Sequence, residues 1–168
     1  KQSIWLKDFK NSITILDKDI DCDILIIGAG ITGLSTAYHL INSNLKVVVV
    51  DKDEIGNDVT ARTTGKITYL QELMYTRLKK ELSEEISKNY LESQLEAIDI
   101  LTNIIEKEKI ECDLEQVKSF VFTKDKKELK KLKEEKELLE KFGIDVLDYN
   151  NAIGVNNTYV FHPIKYLM

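Results

Sequence analysis

The stretch from Asp23 to Asp51, DILIIGAGITGLSTAYHLINSNLKVVVVD, leaves few folds open to this chain. An apolar run, Ile24 to Ile27, leads into Gly28-Ala29-Gly30-Ile31-Thr32-Gly33, a GxGxxG pattern. Leu34, Ala37, Tyr38, Leu40 and Ile41 follow at helical spacing, and a second apolar run, Leu45 and Val47 to Val50, ends on Asp51. The order strand, glycine turn, helix, strand, acid predicts the βαβ core of a Rossmann-like α/β fold. Gly28 permits the tight turn, Gly30 leaves room for a pyrophosphate against the backbone, and Gly33 lets the helix lie close to the sheet. The helix start adds unpaired N–H groups and partial positive charge. Asp51, about 18 residues after Gly33, stands where a carboxylate accepts hydrogen bonds from adenosine ribose hydroxyls. One ordinary alternative is a glycine turn in another α/β unit. Another is a membrane helix, because no charge occurs from Ile24 to Ile41. Three glycines with Thr32, Ser35, Thr36 and His39 make a poor lipid-facing surface, and the break at Gly28 suits strand-then-helix.

The loop after Asp51 begins with Lys52 and carries Thr60-Ala61-Arg62-Thr63-Thr64-Gly65-Lys66. Hydroxyls, backbone N–H groups and an arginine beside a phosphate site form a second anion-binding surface. Composition alone would equally suit an ordinary polar loop; its position directly after the ribose-binding acid favours cofactor contact.

The chain has 168 residues, enough for one ordinary core, and its 43% hydrophobic and 32% charged content reads as globular. A net charge of −5 argues against nucleic-acid binding. Cys22 and Cys112 lack metal-ligand spacing and read as packing residues in a reducing, cytoplasmic setting. Residues 1–20, with Ile4, Trp5, Leu6 and Phe9 as anchors, read as a lead-in without signal-peptide character. No transmembrane segment is expected.

Helical periodicity runs from Gln71 to Lys109. Leu73, Tyr75, Leu78 and Leu82 mark a first helix, Ser83-Glu84-Glu85 an N-cap, and Ile86, Tyr90, Ala97, Ile98, Leu101 and Ile105 a core-facing stripe. Tyr69 and Tyr75 read as half-buried tyrosines at a domain edge. Asp113 to Thr123 reads as two short strands turning at Gln116–Ser119. Asp125 and Glu128 suggest a capping box for a helix running to Phe142, with Leu129, Leu132, Leu139 and Phe142 inward and Gly143 as its C-terminal cap. The interleaved lysines and glutamates of that helix read as a solvated face. Strands are expected at Ile144–Tyr149 and Tyr159–Phe161, then a structural His162 before Pro163 and a helix from Ile164. Two clear parallel strands are fewer than a doubly wound sheet needs, so the sequence reads as the first part of a longer protein.

These residues together resemble the FAD-dependent oxidoreductases of the D-amino-acid oxidase and glycine oxidase (DAO) type, and within them the bacterial subgroup that often carries a C-terminal Rieske iron–sulfur domain. The likeness rests on Ser3-Ile4-Trp5-Leu6, the DxxIIGAGITGLSTAYHL fingerprint, the Thr60–Thr68 segment, Ile110-Glu111-Cys112-Asp113 and Phe161-His162-Pro163-Ile164-Lys165-Tyr166-Leu167. It implies FAD with its pyrophosphate over Gly28 to Gly33, its ribose on Asp51, and Thr60 to Lys66 beside pyrophosphate and flavin. It implies residues 21–112 as the FAD-binding part with added helices, 113–155 as the start of an inserted α+β substrate domain, and 156–168 as a return segment. Members remove a hydride from a C–H next to an amine, in an amine or amino-acid substrate, and deliver it to flavin N5. Asp51 departs from the glutamate more usual in such flavoproteins. No Rieske ligand pattern occurs in these residues, so any Rieske domain would follow the chain, and no catalytic residue is assigned. An NAD(P)-binding Rossmann oxidoreductase and a non-catalytic fragment or partner-binding module stand as alternatives. An exposed sheet edge would favour a homodimer.

Overall fold

The computed structural model describes residues 14–161, which divide into two compact units at the Thr64–Gly65 junction. The expectations for Ile4, Trp5, Leu6, Phe9, His162 and the helix from Ile164 lie outside the described residues.

The first unit holds β1 (Ile24–Ile27), α1 (Ile31–His39) and β2 (Val47–Val50). β1 and β2 pair in parallel, Ile24 opposite Val47 through Ile27 opposite Val50, as a strand–helix–strand crossover requires. Side-chain and main-chain bonds fix this register at both ends. Lys46 N–H donates to the Asp23 carboxylate at 2.7 Å, and Gly28 N–H donates to Val50 O at 2.7 Å. α1 stops at His39, earlier than the apolar pattern suggests. Leu40 becomes its C-cap, Ser43 Oγ donates to Leu40 O, and Ile41 is left 70% exposed.

The second unit is a mixed layer of sheet and helices: β3 (Lys66–Ile67), α2 (Met74–Glu81), α3 (Glu84–Lys107), β4 (Leu114–Phe122), α4 (Leu129–Lys141), β5 (Val146–Tyr149) and β6 (Ala152–Phe161). All pairings are antiparallel. β6 has β4 along one side, and β5 and β3 on the other at its opposite ends. The two short strands expected over 113–123 are one nine-residue strand. The supposed turn is a register shift between Val117 and Ser119, a bulge that keeps the strand on β6. The last strand begins at Ala152, seven residues before the apolar triplet that announces it.

The core of this unit joins Leu70, Tyr75, Leu91, Ile98, Leu132, Leu138, Leu139, Ile153 and Val155. Ser83 caps α3 as expected, its Oγ accepting from Ile86 N–H at 3.1 Å. The buried stripe of α3 is Ser87, Leu91 and Ile98, whereas Ile86 and Ala97 face outward. Tyr69 and Tyr75 are fully buried rather than half-buried, and the Tyr75 hydroxyl donates to the Tyr69 carbonyl.

α4 ends in a Schellman arrangement: Gly143 (φ +90) donates to Glu140 O, and Ile144 N–H donates to Leu139 O. Its expected capping box does not form. Glu128 is the N-cap without a side-chain capping bond, its carboxylate pairing with Lys131, and Asp125 accepts from Lys127 N–H within the preceding turn. Nor is α4 solvated along all its charges. Glu135 is completely buried and accepts from Tyr75 N–H at 2.9 Å and Thr76 N–H at 2.7 Å. α2 has no cap of its own, so this carboxylate from α4 satisfies its first turn. On the surface Glu84 pairs with Lys79 at 2.7 Å and with Lys141, tying α2, α3 and α4 together.

Candidate functional site

The glycine turn of the first unit is built by contacts that each explain a residue. Gly28 leaves β1 at φ +105, a backbone open chiefly to glycine. A Cβ on Gly33 would stand 1.9 Å from the Gly28 carbonyl oxygen, so the start of α1 rests directly on the turn. Gly30 is the N-cap of α1 and supplies no capping side chain.

Two side chains from the following loop reach back to this turn. The Asp51 carboxylate accepts from Ala29 N–H at 2.6 Å and from Asp53 N–H at 3.0 Å. These backbone donors, Ala29 first, hold its pKa below the ordinary carboxylate value, so it is ionised at neutral pH. The Thr60 hydroxyl, on a single 3₁₀ turn (Thr60–Arg62), accepts from Ile31 N–H at 3.0 Å. A main-chain bond from Gly56 N–H to Ala29 O at 2.9 Å clips the middle of the loop to the same place.

The result is a cleft of about 490 Å³ whose lining includes Gly28, Gly30, Asp51, Lys52, Thr60 and Arg62. It brings together six of the residues singled out by sequence. Ala29 (3% exposed) and Ala61 (5%) are buried, as a turn and a loop anchored from beneath require. Ile31 and Thr32 belong to the first turn of α1, where the Thr32 carbonyl accepts from Thr36 Oγ1. Arg62 pairs with Asp58 at 3.1 Å, both largely exposed. Thr63 and Thr64 are exposed residues that end the first unit and do not line the cleft. Gly65 and Lys66 belong to the second unit, where the Gly65 carbonyl accepts from Phe161 N–H and Lys66 pairs with Val160 in the sheet.

Sequence reasoning passed over Gly56, Asp53, Glu54 and Asn57, all of which line the cleft. The signal for Gly56 was the Ile55-Gly56-Asn57 turn triplet, realised at φ +69.

The residues fit a nucleotide pyrophosphate and ribose. A Cβ on Gly28 would meet nothing within 4 Å, so the cleft is open at that glycine. The N-terminus of a helix and an ionised carboxylate stand side by side at the turn, a polarity that suits phosphate at the first and hydroxyls at the second. No group of acids, histidines or cysteines among the described residues could hold a metal ion. Burial pushes the Cys112 thiol up, against a thiolate nucleophile there. No helix among the described residues is long and apolar enough to cross a membrane.

The family model of FAD dependent oxidoreductases (DAO) matches residues 23–153. A Bacillus subtilis (strain 168) relative bearing the name Rieske 2Fe-2S iron-sulfur protein YhfW is 30% identical over 165 residues, covering 93% of this chain and 32% of its own length. The gamma-glutamylputrescine oxidoreductase of Escherichia coli (strain K12) is 30% identical over 138 residues, covering 80% of this chain and 32% of its own length. Among solved structures, L-amino acid deaminase from Proteus myxofaciens in complex with anthranilate superposes with a TM-score of 0.68 at 15% identity, over 99% of this chain and 40% of that one. The chain thus spans about a third of the length of the curated relatives it matches.

Proposed function

Because the chain belongs to the DAO family of FAD-dependent oxidoreductases, we propose that it supplies the nucleotide-binding part of an enzyme that oxidises an amine or amino acid at the C–H next to nitrogen. The observation that carries this reading is the closed turn, with Gly33 against Gly28 O and an ionised Asp51 held on Ala29 N–H beside an open glycine surface. The amine and amino-acid substrates of the relatives, as their names give them, support the substrate class.

When bound, FAD would supply the hydride acceptor for that C–H; the residues of this chain would bind and orient it. The backbone from Gly28 to Gly33 would receive the pyrophosphate, Asp51 would take the ribose hydroxyls, and Lys52 with Thr60 and Arg62 would flank the phosphates. Residues 21–112 serve the FAD-binding part in the complete protein, 113–155 begin the substrate domain, and 156–168 return to the FAD part. A Rieske domain following the chain is supported by the name of the Bacillus subtilis relative. The orienting groups for substrate come from the rest of the protein.

The test is an absorbance spectrum after incubation with FAD and desalting, with NAD in parallel. Retained flavin, lost in Asp51→Ala, is the expected result. Retention of NAD in place of FAD would overturn the reading in favour of a nicotinamide enzyme.

A further inference from the structure

One end of the second unit gathers bare aromatic rings and unpaired lysines. Phe122 of β4 and Tyr149 of β5 both stand opposite Ala152 of β6, one on each side, and so share one face of the sheet. Phe120 lies on that face too, edge-on to Tyr149 with ring centroids 5.6 Å apart. All three rings are exposed, Phe122 to 65% and Tyr149 to 52%. The helices take the other face: Lys136 of α4 reaches Asp148, and Leu139 joins Ile153 and Val155 in the core.

The turn leaving this end of β4 is folded. Thr123 N–H donates to Asn151 O at 3.0 Å, Asp125 N–H to Thr123 Oγ1 at 3.0 Å, and Lys127 N–H to Asp125 Oδ1 at 2.8 Å. It presents Lys124, Lys126 and Lys127, all exposed, and Lys118 is exposed two residues before Phe120. From Lys118 to Lys127 four lysines stand against one acid, Asp125, a local charge of +3 on a chain of net charge −5. None of the four is in an ion pair among the described residues, whereas Lys130, Lys131 and Lys136 of α4 are each matched by a glutamate. The matched lysines make an ordinary solvated helix face; the unmatched ones surround the rings.

We propose that this end of the second unit is a peripheral contact for an anionic membrane surface, with Phe120, Phe122 and Tyr149 entering the headgroup layer and Lys118, Lys124, Lys126 and Lys127 on the lipid phosphates. Exposed aromatic rings beside a lysine cluster combine the two forces that hold a protein on such a surface. The acidic remainder of the chain is repelled by it, so this end leads. Interfaces with folded partners favour arginine over lysine, and every cation here is lysine. Two copies set edge to edge along β4 would bring like charge against like, with Lys118 on the strand itself.

The test is flotation of the full chain with vesicles of phosphatidylcholine alone and of phosphatidylcholine with phosphatidylglycerol. Binding is expected only to the second, and should fall from about 0.1 M to about 1 M salt as the screening length shrinks from about 10 Å to about 3 Å. Each lysine near such a surface is worth roughly fivefold in partitioning, so the triple variant Lys124→Gln, Lys126→Gln, Lys127→Gln should bind about a hundredfold more weakly. Phe122→Ser should lose roughly tenfold. Lys80→Gln with Lys88→Gln, the same kind of charge loss elsewhere on the unit, should stay within about twofold, since screened charges far from the surface contribute little. Far-ultraviolet circular dichroism and FAD retention unchanged in all variants separate the contact from the fold and from the glycine-turn cleft. No binding to either vesicle, equal binding to both, or a triple variant that binds like the parent would overturn the proposal. Retention on polyglutamate without vesicle binding would assign the lysines to an acidic protein instead, and a dimer in light scattering dispersed by Phe122→Ser would assign the rings to a second copy.

Discussion

Gly33→Ala adds a single methyl group at the tightest point of the first unit. Its Cβ would lie 1.9 Å from the Gly28 carbonyl oxygen, 3.1 Å from the Gly28 carbonyl carbon and 3.2 Å from Ile26 Cγ2. Side-chain Cβ atoms keep at least 3.0 Å from such neighbours, so turn and helix must part by about 1.1 Å. The obstacle is main chain, and no rotamer change relieves it. The movement strains Gly28 N–H to Val50 O and Leu34 N–H to Gly30 O, bonds of 2.7 and 2.9 Å. Overpacking costs about 1–3 kcal/mol, and a fixed backbone obstacle puts this site near the upper end. The better helix propensity of alanine returns about 1 kcal/mol. The net expected loss is therefore about 2 kcal/mol, roughly thirtyfold in the folding equilibrium. Urea denaturation followed by far-ultraviolet circular dichroism measures it, and flavin retention should fall in step. Gly28→Ala is the control: φ +105 makes it a strained site with nothing for the methyl to strike. If Gly33→Ala unfolds within about 0.5 kcal/mol of the parent and keeps its flavin, the close-packing argument is wrong.

Glu135→Gln leaves one acceptor for two helix N–H groups and should destabilise by about 1–3 kcal/mol; Glu135→Ala, which orphans both and opens a void, should cost about 3–5 kcal/mol, read from urea midpoints. Glu84, drawn down to about 2 by Lys141 and Lys79, binds its proton more weakly folded than unfolded. Its contribution is present above the ordinary value of 4.5 and is lost as pH falls toward 2, so Glu84→Gln should flatten melting temperature against pH in that window and nowhere above it. Gly154→Ala would place a Cβ 2.5 Å from the Phe120 ring. That ring is 42% exposed and can swing away, so the expected cost is only about 1 kcal/mol. Loss of the edge-on Phe120–Tyr149 contact should then appear in near-ultraviolet circular dichroism.

The turn of the first unit was legible because glycine spacing states a backbone demand directly: Gly28 and Gly33 are each the residue their position permits. Asp51 was legible as an acid at the end of β2, but not as the group that holds Ala29 N–H, since spacing says nothing of where a carboxylate rests without ligand. Thr60 was found among several hydroxyls, and only the fold distinguishes it from Thr63 and Thr64. In the second unit the lysine-rich run of α4 hid Glu135. A signal existed: Glu135 falls three residues after Leu132 and four before Leu139, on the apolar stripe where a solvated carboxylate does not belong. The bulge at Val117–Ser119 was read as a turn because an interrupted alternation looks alike in both cases; only pairing with β6 separates them. That pairing partner, like the placement of α2 beside α4, depends on contacts distant in sequence, which local periodicity cannot encode.

The place of β6 in the sheet sets an order for synthesis. Every described partner of β6 precedes it in the chain: Lys66 and Ile67 must wait for Tyr159 and Val160, and all of β4 waits for Ala152–Phe161. α2 likewise waits for Glu135 before its first turn is satisfied. The first unit needs no such delay, because β1 meets β2 within the stretch ending at Val50. On a ribosome the glycine turn can therefore close while the second unit is still an unpaired collection of helices and strands with its apolar faces in water. Distant pairings of this kind fold slowly and expose the chain to aggregation. Protease digestion of stalled nascent chains should find residues 24–50 protected well before residues 114–149.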